Sequence, residues 1–275
     1  LILTLTKYAV GVLVGYTFYL FHGFEAGILG LSTMTIIAAM TNSNGGMYCA
    51  LPAQYGNRSD VGAIAVLALN DGPFLTMAAL GLMGAVFPTA AFLAVLLPIA
   101  LGMLLGNLDP DIRAFLKPGE SLTIPFFAFA LGTLVNLRDF LDPANILGGV
   151  ALGIATTLLT GLAGALMLRL FGEHSVIAGF AEGSTAGNAA QTPAAILAVS
   201  TGATATLYSS LLATATIQIS IACVTTALLC PLMVILVNRY QLSRGLNARL
   251  EFATPRQSPA ATPAESESEL ATASA

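Results

Sequence analysis

Residues 37–56 read IAAMTNSNGGMYCALPAQYG, and the fold turns on how that stretch is read. An apolar run reaches Met40 and stops in Thr41, Asn42, Ser43, Asn44, Gly45 and Gly46. A second apolar turn, residues 47–51, begins at once. Unpaired N–H and C=O groups in hydrocarbon are costly, so a polar break inside an apolar run survives only against packed protein or a cavity. The break also opens a helix start, whose free N–H groups and dipole attract an anion. A second stretch of the same kind, GSTAGNAAQTP, lies at residues 183–193. The two stretches are read as halves of one solute site.

Composition places these breaks in a bilayer. The 275 residues are 56% hydrophobic and only 9% charged, with a mean hydropathy of +0.83. Soluble domains carry roughly 25% charged residues. The apolar runs are continuous and about 20 residues long, which fits helices rather than the short alternating strands of a barrel. The 27 glycines and 13 prolines, many inside apolar runs, fit packed and interrupted membrane helices. The net charge of −4 says little about partners, and no basic cluster suggests nucleic acid. Cys49, Cys223 and Cys230 sit in apolar runs without metal-ligand spacing, so neither a metal nor a cofactor is expected.

Taken in order, spanning runs are predicted at residues 1–21, 28–55, 61–84, 86–106, 122–137, 146–171, 176–200 and 206–237. The second run is broken at residues 41–46 and the seventh at residues 183–191. Residues 1–250 are read as the membrane domain and 251–275, rich in Pro, Ala, Ser and Glu, as a disordered tail. With the C-terminus in the cytoplasm, Arg58, Arg113, Lys117 and Arg169 fall on cytoplasmic loops and only Arg138 outside. That is the positive-inside asymmetry.

The order of elements repeats with inverted orientation. A plain run, a broken run and a kinked run open the chain and recur at its end, a recurrent transporter plan. Two further runs precede the second trio and none precede the first. Symmetry therefore predicts two helices ahead of Leu1, eight crossings here belonging to a ten-helix fold. Without those two helices, weak or no transport is expected of the chain by itself.

MTNSNGGMYCALPAQYG, GNLDPDIRAFL and IPFFAFALG strongly resemble the bacterial 2-keto-3-deoxygluconate permease family, and LNDGPFLTM and the break at residues 183–191 are similar in kind. The resemblance covers about residues 1–245 and leaves the tail outside. It implies a multi-pass inner-membrane symporter importing a small anionic sugar acid together with a proton. It also implies an all-α, inverted-repeat fold with two broken helices crossing at the centre. Two positions depart from the family pattern: Thr41 stands where an acid is frequent, and the acid of LNDGPFLTM can fall at Asn70 instead of Asp71.

A sugar acid at mid-membrane needs positive potential, hydroxyl partners and a titratable group. Positive potential is assigned to two helix starts, one capped by Ser43 or Asn44 and one at Thr192-Pro193, read as an N-cap followed by Pro. Hydroxyl partners are Asn42, Asn44, Ser184, Thr185, Asn188 and Gln191, with Gly45 and Gly46 allowing close approach. Any of these side chains can instead serve only the unwound backbone. The titratable group is Asp71, the one acid deep in an apolar run, beside Asn70 and with Glu182 as runner-up. Lys7 either snorkels to the interface or pairs with Asp71 or the substrate.

Three other readings compete. Sodium coupling is the rival within transport, since broken helices also present carbonyls to a cation. An intramembrane enzyme needs a nucleophile–base pair or metal set that the runs lack. A non-transporting sensor fits poorly with a chain that shows no appended soluble domain.

Overall fold

The computed structural model describes residues 1–67, 70, 72–119, 122, 126, 129, 138 and 141–249. Asp71, most of the run at 122–137 and the tail at 251–275 lie outside the described residues. The described chain is helical, without strands, apart from one isolated bridge between Ala26 and Ser32.

Helix α1 spans Ile2–His22 and is followed by a short 3₁₀ turn at Ile28–Gly30. Helix α2 runs Thr33–Thr41 and α3 runs Gly45–Tyr55. Three short helices come next: α4 at Arg58–Gly62, α5 at Ile64–Leu67 and α6 at Pro73–Leu82. Helices α7, Thr89–Leu108, and α8, Pro110–Leu116, precede the long α9, Pro143–Leu170. Helix α10 is Ile177–Ala181, a 3₁₀ turn takes Gly187–Gln191, and α11 is Thr192–Val199. Helix α12 runs unbroken from Gly202 to Ser243.

Among the described residues, α1, α7, α9 and α12 are long and apolar enough to cross a membrane, with mean hydropathies of 1.2, 2.2, 1.9 and 2.4. Their outward faces are apolar: Leu13, Leu97, Leu162 and Leu228 are all exposed. The first half of each interrupted pair, α2 and α10, sits within. Every residue of α2 and every residue of α10 is buried. At 42 residues and about 1.5 Å per residue, α12 is roughly 63 Å long, about twice a hydrocarbon core.

The run at 61–84 is a correction. It is not one kinked helix but α4, α5 and α6 in succession. Asn57 and Asp60 form a reciprocal capping box that starts α4 outside the predicted run. Further on, Gly72 takes φ 90, a left-handed value suited to glycine, and Pro73 starts α6 without needing a donor.

Small residues bring the elements together, as they do where helices pack inside lipid. A Cβ on Gly11 would lie 2.8 Å from Thr41 Cγ2, and one on Gly15 would lie 2.3 Å from Ile37 Cγ1. Helix α1 therefore presses directly on α2. A Cβ on Gly179 would lie 2.4 Å from Ala165 N, so α10 and α9 meet backbone to backbone.

Candidate functional site

Both predicted interruptions exist, and they meet. Helix α2 ends at Thr41, Asn42 takes an extended φ/ψ, and α3 starts at Gly45. Asn44 is the N-cap of α3, its Oδ1 accepting from Met47 N at 3.0 Å. In the second half, α10 ends at Ala181, winding resumes as the 3₁₀ turn at Gly187, and α-helix only at Thr192. The helices pair crosswise: α2 packs on the 3₁₀ turn and on α11, while α3 packs on α10. Thr185 Oγ1 donates to Ala39 O at 3.0 Å and stitches the second break to α2.

The polar centre lies where these breaks touch a third one. Ser43 Oγ donates to Glu182 Oε1. Asn70 Nδ2, between α5 and α6, donates to Ser43 Oγ at 3.4 Å. Lys7 Nζ lies 3.9 Å from Glu182 Oε1 and donates to Glu182 O at 2.9 Å and to Ser184 O at 2.5 Å. Lys7, Ser43, Asn70, Glu182 and Ser184 are all buried. The site thus draws on α1 and on all three interruptions. Thr41 and Thr76 share a hydroxyl contact at 3.2 Å alongside it.

Of the two readings of Lys7 the buried one holds, with Glu182 as a partner. One expectation needs correction. Thr192 is not an N-cap. The cap is Gln191, without a side-chain bond, because the 3₁₀ turn runs straight into α11 and Thr192 is already helical. Of the two capping candidates Asn44 is the one engaged, and Asn42 takes the backbone alternative, its Nδ2 donating to Ala38 O at 2.7 Å.

What the structure leaves open is specific. Among the described residues, Asn42 Oδ1, Asn70 Oδ1, Ser184 Oγ, Thr192 Oγ1 and Glu182 Oε2 are buried without a hydrogen-bond partner. Thr4, Thr157, Tyr208, Thr216, Gln218 and Gln241 also carry such atoms, so the feature is not confined to the breaks; at Asn70, Glu182 and Ser184 it coincides with the polar centre, where an unpaired atom is a candidate ligand contact. Asn188 is exposed, Gln191 is half-buried, and Gly46 is exposed at the start of α3. No group of three or more His, Cys, Asp or Glu that could hold a metal occurs among the described residues.

Paired interrupted helices around a buried polar centre, jacketed by long apolar helices, define a multi-pass helical membrane protein. The chain belongs to the 2-keto-3-deoxygluconate permease family, whose pattern matches residues 1–242. It is 52% identical over 195 residues to proteins of Salmonella typhimurium and Salmonella typhi named 2-keto-3-deoxygluconate permease 1, an alignment covering 70% of this chain and 60% of each relative. The chain therefore spans about 60% of the length of these two relatives. A Xanthomonas axonopodis pv. citri protein named 2-keto-3-deoxygluconate permease is 38% identical over 242 residues, 86% of this chain and 74% of the relative. An Escherichia coli K12 protein of the same name is 35% identical over 233 residues, 84% and 68% of the two chains. No solved structure matches.

Proposed function

We propose that the protein imports 2-keto-3-deoxygluconate, or a sugar acid like it, by proton symport across the bacterial inner membrane. Family membership supports the substrate class. The observation that carries the mechanism is the hydrogen bond from Ser43 to Glu182, which joins the two interruptions at a buried carboxyl. A carboxyl inside a membrane domain is a functional candidate by default.

The substrate's hydroxyls are assigned to Asn42, Ser43, Ser184, Thr185 and the more open Asn44, Asn188 and Gln191. Gly45 and Gly46 let the substrate approach the α3 start, and Thr192 lies at the start of α11. Its carboxylate is drawn by Lys7 and by the α3 N-terminus, an 11-residue helix with a positive dipole end. Glu182 carries the coupling proton, with Asn70 beside it and Asp71 as a second candidate. When a substrate carboxylate takes up the Lys7 ammonium, Glu182 loses its counter-charge. A proton then takes the place of that charge, and this links the two fluxes. Alternating access is rocking of one helix bundle against the other around the crossing breaks. The ten-helix inverted-repeat plan and a cytoplasmic C-terminus, after Arg239, Arg244 and Arg249, belong to this reading.

The test is uptake of labelled 2-keto-3-deoxygluconate into sodium-free proteoliposomes carrying the complete protein. An inward proton gradient should drive accumulation above equilibrium, and a protonophore should abolish it. Accumulation that needs sodium and ignores the proton gradient would favour the sodium-coupled alternative.

A further inference from the structure

Lys7 occupies an unusual position for an ammonium group. It does not simply face a carboxylate. Its Nζ sits among main-chain oxygens of the unwound segment after α10, bonded to Glu182 O at 2.9 Å and to Ser184 O at 2.5 Å, with Glu182 Oε1 3.9 Å away. Two carbonyls and one carboxylate form a hard-oxygen set of the kind that metal cations take. Ser184 Oγ is a further buried oxygen with no hydrogen-bond partner among the described residues. The walls are closed by protein, since α10 is entirely buried and Ser184 and Thr185 are buried as well.

We propose that the second interruption is an alkali-cation site whose occupant is tethered: the Lys7 ammonium fills it in place of sodium or potassium. Two needs meet at Lys7 among the described residues. Glu182 needs one positive charge nearby, and the carbonyls need donors or a cation. A free ion would satisfy both but would leave and return with the medium. The lysine satisfies both in this state and cannot diffuse away, because α1 is locked on α2 at Gly11 and Gly15, where a Cβ would meet Thr41 or Ile37 at 2.8 and 2.3 Å. The inference rests on the transport reading in one respect: a filled cation site is the reason coupling falls to protons and not to sodium. The site itself stands on the contacts of Lys7 alone.

Removing the tethered charge should therefore create a requirement for a dissolved one. The experiment is thermal unfolding of the purified protein in choline chloride, sodium chloride and potassium chloride at equal concentration. Wild type should unfold at the same temperature in all three. Lys7→Ala should unfold at lower temperature in choline and recover by about 3 °C or more in sodium or potassium. Lys7→Arg, which keeps a tethered cation, should again be indifferent. Should Lys7→Ala not yield folded protein in choline, it is prepared in sodium, and Lys7→Gln is measured beside it. Recovery in sodium supports the site. Equal unfolding of both neutral variants in all salts overturns it, and so does a sodium response of wild type as large as that of Lys7→Ala. Wild-type uptake of labelled sugar acid is run separately. Its failure defeats the transport reading and leaves the salt response of the variants to decide the cation site.

Discussion

The Lys7 ammonium lies 3.9 Å from the Glu182 carboxylate, with the two side chains only 1% and 2% exposed. The residues are 175 positions apart. They meet because the face of α1 that carries Lys7 also carries Gly11 and Gly15, which seat it on α2. Helix α2 in turn holds the break residue Ser43 against Glu182. A buried pair of this kind is weak evidence of net stabilisation, but breaking it leaves one charge uncompensated.

Removing one partner is expected to cost about 3–5 kcal/mol. Lys7→Met should therefore lower the unfolding temperature in choline by roughly 10 °C, at about 2–4 °C per kcal/mol for a chain of this size. Lys7→Met combined with Glu182→Gln should recover much of that loss, because no unpaired charge is left. A double variant no more stable than Lys7→Met would contradict the pairing.

Ser43 both donates to Glu182 and accepts from Asn70 at 3.4 Å. Ser43→Ala removes both contacts and leaves buried polar groups unsatisfied, an effect of about 1–3 kcal/mol. Uptake should fall on the order of tenfold or more, as expected for about 1.4 kcal/mol or more lost at the site. Ser43→Thr, which keeps the hydroxyl, should retain more activity than Ser43→Ala in the same uptake assay.

The cap at Asn44 separates structure from recognition. Asn44→Ala should destabilise the protein by about 1 kcal/mol, and Asn44→Asp should restore the cap. The added negative charge of Asn44→Asp should nevertheless weaken sugar-acid uptake, since it faces the anion's assigned helix start. Unfolding temperature and apparent KM, measured together on the two variants, check both halves.

Much of this centre was legible in the chain, and the exceptions have physical causes. Both interruptions announce themselves as Asn, Ser, Thr and Gly set inside apolar runs. Glu182 stands one residue before GSTAGN and reads as an edge residue; its burial is decided by α1, far away in sequence. A signal existed nonetheless, because Lys7, Gly11 and Gly15 recur at four-residue spacing and mark one inward face. Thr192-Pro193 has the appearance of a helix start, but the 3₁₀ turn from Gly187 begins the winding earlier. The run at 61–84 shows its kink in Asn70-Asp71-Gly72-Pro73, where Gly72 is left-handed, but the Asn57–Asp60 capping box lies ahead of the apolar run and does not register in its hydropathy.

Close packing gives a prediction independent of transport. Gly179→Val should destabilise by more than the 1–3 kcal/mol usual for overpacking, because its Cβ would meet backbone at 2.4 Å. Gly62→Ala, where an added Cβ meets nothing within 4 Å, should change little. Comparing the unfolding temperatures of the two variants tests the α9–α10 contact.

The most direct trial of the account is Glu182→Gln in sodium-free proteoliposomes with an inward proton gradient and labelled 2-keto-3-deoxygluconate outside. The variant should let the sugar acid equilibrate or exchange but not accumulate above its outside concentration. Uphill accumulation at the wild-type level would contradict the assignment of Glu182 as the group that ties the proton to the solute.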